Sequence, residues 1–190
     1  MEHLQATPWM HTEPYAKLLS FFFCFPVIEI TLNGLVSATK ISKSSAQRAV
    51  GVLIKEGFLN KKVIGKSWLL SCNQKHPYNF SRKIAYFLWL ILDSKMVYTL
   101  RRHYPSAKAL VLFGSYRKGD NAEGSDIDIA VELVQETALK IVDFAVFDSL
   151  GYQKNVLVRV HVFSRKKITS TLFTNIANGI VLDGFLEVHP

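Results

Sequence analysis

The chain has 190 residues, 49% apolar and 20% charged, a balance that excludes a disordered polymer and allows one sizeable domain or two small ones. Lys and Arg number 23 against 15 Asp and Glu, a net charge of +8, and two cysteines, Cys24 and Cys72, are too few for a disulfide framework and leave room for one bridge at most. No secretory pattern opens the sequence, and its apolar stretches at 18–28 and 84–92 fall short of the about 20 residues that a membrane span needs, so the expectation is a cytoplasmic protein with no membrane partner.

The charge is uneven. Residues 1–75 hold nine basic and four acidic side chains, 76–106 five and one, and 107–190 nine and ten. The whole excess therefore lies ahead of Ala107. A basic front half predicts a polyanion partner, with surface charge for solubility as the plain alternative.

In chain order, 13–25 reads as a helix with Pro14 in its first turn and Pro26 as its stop. A short helix follows at 32–39. Ile41 and Ser42 make a tight turn. A third helix runs over 43–56, with Ala46, Val50, Leu53 and Ile54 at helical spacing and Gly57 ending it. Residues 59–70 read as two strands around Gly65, with Lys61, Lys62 and Lys66 near the tip. Helix, short helix, turn, helix and basic hairpin resemble a winged helix-turn-helix, most closely over 41–62, "ISKSSAQRAVGVLIKEGFLNKK". The resemblance implies double-stranded DNA as partner. Ser44, Ser45, Gln47 and Arg48 would face a major groove, while Lys43, Lys61, Lys62 and Lys66 would sit on phosphates. The same module used only for protein contact is the other reading.

Residues 78–104 join the halves, and a helix capped by Ser81 is expected to run through them to about Arg102. Its middle, "IAYFLWLIL", is apolar on every face, which demands burial on several sides. Packing between two units, a homodimer interface and an ordinary core helix all meet that demand.

The pattern at 107–131 carries the chemistry. A buried strand, "AKALVLF", runs into Gly114-Ser115-Tyr116-Arg117-Lys118-Gly119, and a second strand opens with Ser125-Asp126-Ile127-Asp128. Gly114 lets backbone approach a ligand, and Ser115 starts a helix whose free N–H groups suit phosphate. Arg117 and Lys118 add positive charge. Asp126 and Asp128, two apart on a strand, share a face, and two neighbouring carboxylates call for a cation between them. Mg²⁺ suits them because it accepts carboxylate, water and phosphate oxygens together. A phosphate cradle opposite a dicarboxylate is what holding a metal-bound nucleoside triphosphate requires.

This G-S-x-x-x-G…S-D-x-D motif resembles the minimal nucleotidyltransferases of the DNA polymerase beta superfamily. The resemblance implies transfer of a nucleoside monophosphate from a Mg²⁺-bound nucleoside triphosphate to an acceptor hydroxyl. It implies Asp126 and Asp128 as catalytic metal ligands, and Gly114, Ser115, Arg117, Lys118, Gly119 and Ser125 as the nucleotide site. The family has a third carboxylate on a later strand, which helps hold the metals and deprotonates the acceptor. Here a helix is expected over 136–150, ended by Gly151, and the following strand, 155–163, places His161, or else Arg159, at that position. A neutral His161 could serve as base or metal ligand, or be a polar surface residue. Glu132 shares Asp128's face but lies about 13 Å further along.

A last helix is expected over 165–178, capped by Ser164 and ended by Gly179, then a short strand at 180–182, with Asp183 and Glu187 as isolated surface groups. The expected fold is therefore α+β, with a winged helix-turn-helix at 1–78, a linking helix at 79–104 and a small nucleotidyltransferase-like α/β sheet domain at 105–190. Two alternatives to an active transferase follow from the missing carboxylate and from family resemblance. One is a nucleotide-responsive transcription regulator without turnover; the other is an antitoxin-like partner of a small helical toxin.

Overall fold

Strand β1 (Glu2–Ala6) precedes the first helix, α1 (Pro14–Cys24), in a computed structural model that describes residues 2–6 and 13–188. Pro14 suits the first turn because its missing N–H would be unpaired there anyway, and the helix ends one residue ahead of the Phe25-Pro26 pair. β2 (Glu29–Thr31) leads directly into α2 (Leu32–Thr39), where the Thr31 hydroxyl accepts the Gly34 N–H at 3.1 Å. α3 (Lys43–Lys55) starts on Ser42, whose Oγ accepts the Ser45 N–H at 3.2 Å. Its buried residues, Ala46, Ala49, Val50 and Leu53, recur at three- and four-residue spacing, so one stripe faces α1. β3 (Leu59–Ile64) and β4 (Ser67–Cys72) pair antiparallel across a turn that needs Gly65 at φ +58°. β2 adds to the other edge of β4, giving the order β2-β4-β3. That third strand was not expected; Glu29, Ile30 and Thr31 alternate in exposure, but three residues are too few to mark a strand.

The long helix expected from the Ser81 cap to about Arg102 is broken. A 3₁₀ turn, Pro77–Phe80, precedes α4 (Arg82–Asp93) and α5 (Met96–His103). Lys95 sits between the two helices in the left-handed region at φ +64°, and the Ser94 hydroxyl closes the end of α4 on the Ile91 carbonyl at 2.7 Å. Ser81 does not cap α4 with its side chain; its hydroxyl donates to the Pro77 carbonyl. The apolar run also has a sidedness that hydropathy hid. Phe87, Leu90 and Ile91 are buried, whereas Ala85 and Leu92 face solvent.

The rest of the chain builds a six-stranded sheet from β1, β5 (Ala107–Phe113), β6 (Ile127–Leu133), β7 (Lys140–Leu150), β8 (Gln153–Phe163) and β9 (Ile180–Gly184), in the order β1-β7-β8-β6-β5-β9. α6 (Gly114–Lys118) follows β5, and α7 (Ser170–Ala177) precedes β9. The helix expected over 136–150 is the strand β7. Ile141, Val142, Phe144, Val146 and Phe147 are strand formers, and a two-residue loop with Gly151 at φ +62° returns the chain into β8. The last helix is shorter than expected and starts at Ser170, with Thr169 as its cap; Ser164 instead pairs with the backbone of Thr137. Nor are Asp183 and Glu187 isolated, since Arg101 holds Asp183 and Lys108 reaches Glu187 at 3.3 Å.

Both faces of the large sheet are covered. Val111, Phe113, Ala130 and Ile176 pack on the α7 side. On the opposite side Leu110, Leu112, Ile129 and Val158 join a core that runs without interruption through Phe87 into Phe22, Leu53 and Phe58 of the front helices. The architecture is mixed α+β, with the small three-stranded sheet and the large sheet sharing that core. Among the described residues no helix is long and apolar enough to cross a membrane.

Candidate active site

Gly114 turns the chain from β5 into α6 at φ +72°, a conformation that side chains strain to adopt. It also lies against Asp128: a Cβ on Gly114 would stand 2.6 Å from Asp128 Oδ2. The antiparallel register explains the closeness, because Phe113 is paired with Asp128 and the turn begins one residue later. Tyr116 anchors the turn from below. It is buried on the core side, its ring packs edge-on against Phe87 with 5.0 Å between centroids, and its hydroxyl donates to Gln153 Oε1 at 2.9 Å. Gln153 Nε2 in turn donates to the Cys24 carbonyl at 2.9 Å, so the end of α1, the turn and the start of β8 are tied through one buried amide.

Asp126 and Asp128 are about one-quarter to one-third exposed, at 29% and 25%. Asp126 lies one residue ahead of β6, and Asp128 within it. Both meet partners from β8. Arg159 Nη1 donates to Asp126 Oδ2 at 2.8 Å, and its Nε donates to Asp143 Oδ1 on β7 at 3.3 Å. His161 Nε2 lies 3.0 Å from Asp128 Oδ1. The Arg159 pKa is raised above its ordinary value, first by the hydrogen bond to Asp143 and then by the charge of Asp126. The other ring nitrogen of His161 is buried without a hydrogen-bond partner, and Phe113 covers the ring edge at a 4.9 Å centroid distance. That arrangement suits the Nε2–H tautomer, with a lone pair at Nδ1 that needs no acceptor. It leaves neither ring nitrogen open to an incoming hydroxyl.

The remaining expected residues divide. Ser115, Arg117 and Lys118 lie on α6, partly or fully exposed. Gly119 is the α6 C-cap at φ +82°, packed beneath the Asn79 backbone, and Ser125 Oγ accepts the Ala122 N–H at 3.0 Å, so both are engaged in shaping the loop 119–125. A cavity of about 130 Å³ opens beside Asp126, walled by Phe25, Tyr152, Lys154 and Asn155. Glu132, on the same sheet face but buried, is paired with Arg165 at 2.9 Å and takes no part in the site. Arg159, expected only as an alternative to His161 at the third-carboxylate position, pairs with Asp126 and Asp143, and Asp143 was not expected at the site. The Gly151-Tyr152 loop between two runs rich in β-branched and aromatic residues was the signal for a hairpin that would have brought them in.

In the front half, Lys43, Gln47 and Lys66 surround a separate hollow of about 190 Å³ with Trp68. Arg48 and Lys62 are exposed. Lys61 Nζ stacks 4.5 Å from the centre of the Trp68 ring. The Ser44 and Ser45 hydroxyls are drawn into the cap, at 3.2 and 2.9 Å from Ser42 Oγ, so neither side chain is free at the tip of α3.

A mixed sheet in which a glycine turn after one strand faces a carboxylate on the next defines the class of site. Residues 94–178 match the family model described as "Nucleotidyltransferase domain", so this part of the chain is similar to domains of nucleotidyl transfer. No curated protein matches the chain.

The domains of this family use divalent metal ions. The donor set here is two carboxylates, and no group of three or more His, Cys, Asp or Glu that could hold a metal is formed among the described residues. Carboxylates are the donors that a hard cation such as Mg²⁺ takes beside water and substrate oxygens, so Asp126 and Asp128 would be the residues to hold it. They do not make a closed protein cage.

Proposed function

We propose that the chain binds a magnesium-bound nucleoside triphosphate at the Gly114 turn and transfers its nucleoside monophosphate to an acceptor. The observation that carries this reading is the closeness of Gly114 to Asp128, which would let a backbone that cradles phosphate face a carboxylate that holds a metal. In this reading Asp126 and Asp128 would hold Mg²⁺, which would supply positive charge against the phosphates and the leaving pyrophosphate. The Gly114 and Ser115 backbone lies along the triphosphate. Arg117 and Lys118 supply positive charge from α6. His161 fixes the orientation of Asp128, while the Tyr116–Gln153 pair keeps the turn from shifting. Calorimetry with nucleoside triphosphates and Mg²⁺, paired with a pyrophosphate assay, tests the reading. Asp126→Asn with Asp128→Asn is expected to weaken Mg²⁺-dependent binding at least 100-fold and to abolish pyrophosphate release. Binding unchanged in the double variant would place the nucleotide elsewhere.

A second reading is favoured by β8, where the residues facing the two aspartates are Arg159 and His161 and no third carboxylate is supplied. Binding would then proceed without turnover and the nucleotide would act as a signal. The pyrophosphate assay separates the two readings.

We further propose that residues 1–78 include a winged helix-turn-helix that reads double-stranded DNA, joined through 79–104 to the nucleotidyltransferase-like domain at 105–190. Support comes from the capped α3, the hairpin beside it and the gathering of Lys43, Gln47 and Lys66 around one hollow. Lys43, Lys61, Lys62 and Lys66 would contact phosphates, each adding about 0.9 to the salt slope, while Gln47 and Arg48 would face the major groove. Lys62→Ala with Lys66→Ala should therefore reduce the slope of log affinity against log salt by about 2, measured by fluorescence anisotropy on a duplex. A slope unchanged in the double variant removes those residues from the interface. Neither a second copy of the chain nor a helical partner is needed for this reading.

A further inference from the structure

β8 runs between β6 and β7, and its register sets Arg159 opposite Asp128 on one side and opposite Asp143 on the other. The guanidinium reaches past Asp128 to Asp126 at 2.8 Å and holds Asp143 at 3.3 Å, so one cation serves two carboxylates beside a third. Arg159 thereby occupies Oδ2, one of the two carboxylate oxygens that Asp126 has for a metal. Its side chain is 36% exposed, which leaves it room to move. A guanidinium also binds phosphate in a two-pronged fork at least as readily as it binds carboxylate.

Resting on the nucleotide-binding reading above, we propose that Arg159 is a resident counter-cation that neutralises Asp126 while the site is empty and is released to the triphosphate when metal-bound nucleotide enters. Metal and nucleotide then load together. Metal alone must compete with Arg159 for Asp126, whereas the triphosphate draws Arg159 away and frees the carboxylate. The coupling is reciprocal, so metal tightens nucleotide by the same factor that nucleotide tightens metal. Arg159 acts here as a positioning residue, and its effect is read in binding rather than in turnover.

The experiment is Mn²⁺ binding followed by electron paramagnetic resonance of the free ion, with and without ATP, together with calorimetry of ATP in chelator. Arg159→Gln is expected to bind Mn²⁺ alone about fivefold more tightly than wild type and ATP alone about fivefold more weakly, the size expected of a partly exposed charge pair. The coupling factor between the two ligands shrinks accordingly. Asp143→Asn removes the competing carboxylate, leaves Arg159 to Asp126 and should weaken Mn²⁺ alone about twofold, a shift of opposite sign that general loss of structure would not produce. Mn²⁺ affinity unchanged or lower in Arg159→Gln, with binding still abolished by Asp126→Asn, overturns the counter-cation and leaves the nucleotide site standing. Mn²⁺ and ATP binding indifferent to Asp126 in every variant overturns both.

Discussion

Gly114→Val is expected to abolish nucleotide binding and to lower folding stability by about 2–3 kcal/mol, the range for a β-branched residue forced into the left-handed region. Two effects act at one atom. The backbone at φ +72° disfavours any Cβ, and the Cβ would stand 2.6 Å from Asp128 Oδ2, well inside contact distance. Relief requires either the turn or the carboxylate to move, and the proposed site depends on both. Gly114→Ala carries the same Cβ and should show the same loss of binding with a smaller loss of stability. Calorimetry with Mg²⁺ and a nucleoside triphosphate, beside a urea melt of each variant, checks the pair. Nucleotide affinity held within twofold in a folded Gly114→Ala protein would show that the phosphates do not lie along this turn.

Lys83→Met should stabilise the protein at pH 7 by about 2 kcal/mol, and that gain should disappear at about pH 9.5 and turn into a loss of about 1 kcal/mol as the pH approaches 10.5. Lys83 is 1% exposed on α4, its ammonium donates to the Asn121 carbonyl, and burial pushes its pKa down to about 8 from an ordinary 10.5. Below pH 8 both folded and unfolded chains carry the proton, and the cost of the buried charge is fully present. Between about 8 and 10.5 the folded chain releases the proton while the unfolded chain keeps it, so the wild type gains stability as pH rises, by about 3 kcal/mol over that window. Methionine removes the charge and keeps the bulk, losing one hydrogen bond of about 1 kcal/mol. Cys24 and Cys72, both pushed up to about 11 by burial, work in the opposite direction above pH 9, but they do so in both proteins and largely cancel in the difference. Urea melts of both proteins between pH 7 and 10 read this out. A stability difference that stays flat across that range would show that Lys83 is not a buried charge.

The location of Lys83 ties this energetic point to the site. Its partner Asn121 is fully buried within the loop 119–125, which runs into Asp126. Gln153 grips the same loop through the Ala122 carbonyl at 3.4 Å. The front helices and the loop ahead of the acidic pair are therefore joined by buried polar contacts, which keep a specific geometry better than apolar packing does. Lys83→Met should leave the core intact while loosening that loop.

Several features could be read along the chain because their causes are local. α2 and α3 have Thr31 and Ser42 as caps, Gly57 as a stop and Gly65 in the hairpin turn, and each signal lies within a few residues of the structure it produces. The run from β5 through Gly114 to Asp128 belongs with them, because a buried strand, a positive-φ glycine and an acidic dipeptide repeat suffice to mark it. The strand β7 was another matter. Ile141, Phe144 and Ala145 fit a helical period about as well as Ala145 and Phe147 fit a strand, and only pairing with β8 selects the strand. Likewise, the break at Lys95 and the late start of α7 answer to packing that lies far off in the sequence.

Chain order and residue type alone marked the glycine turn and the two aspartates, since strand periodicity sets both on one edge wherever the sheet is placed. The company those aspartates keep was settled by the assembled sheet. Arg159 is more than thirty positions from Asp126 and reaches it because β8 is inserted between β6 and β7 in one register; a slip of one residue would turn Arg159 to the opposite face. No local period encodes such a pairing. It arises when distant strands bury their apolar faces together, and the charges follow.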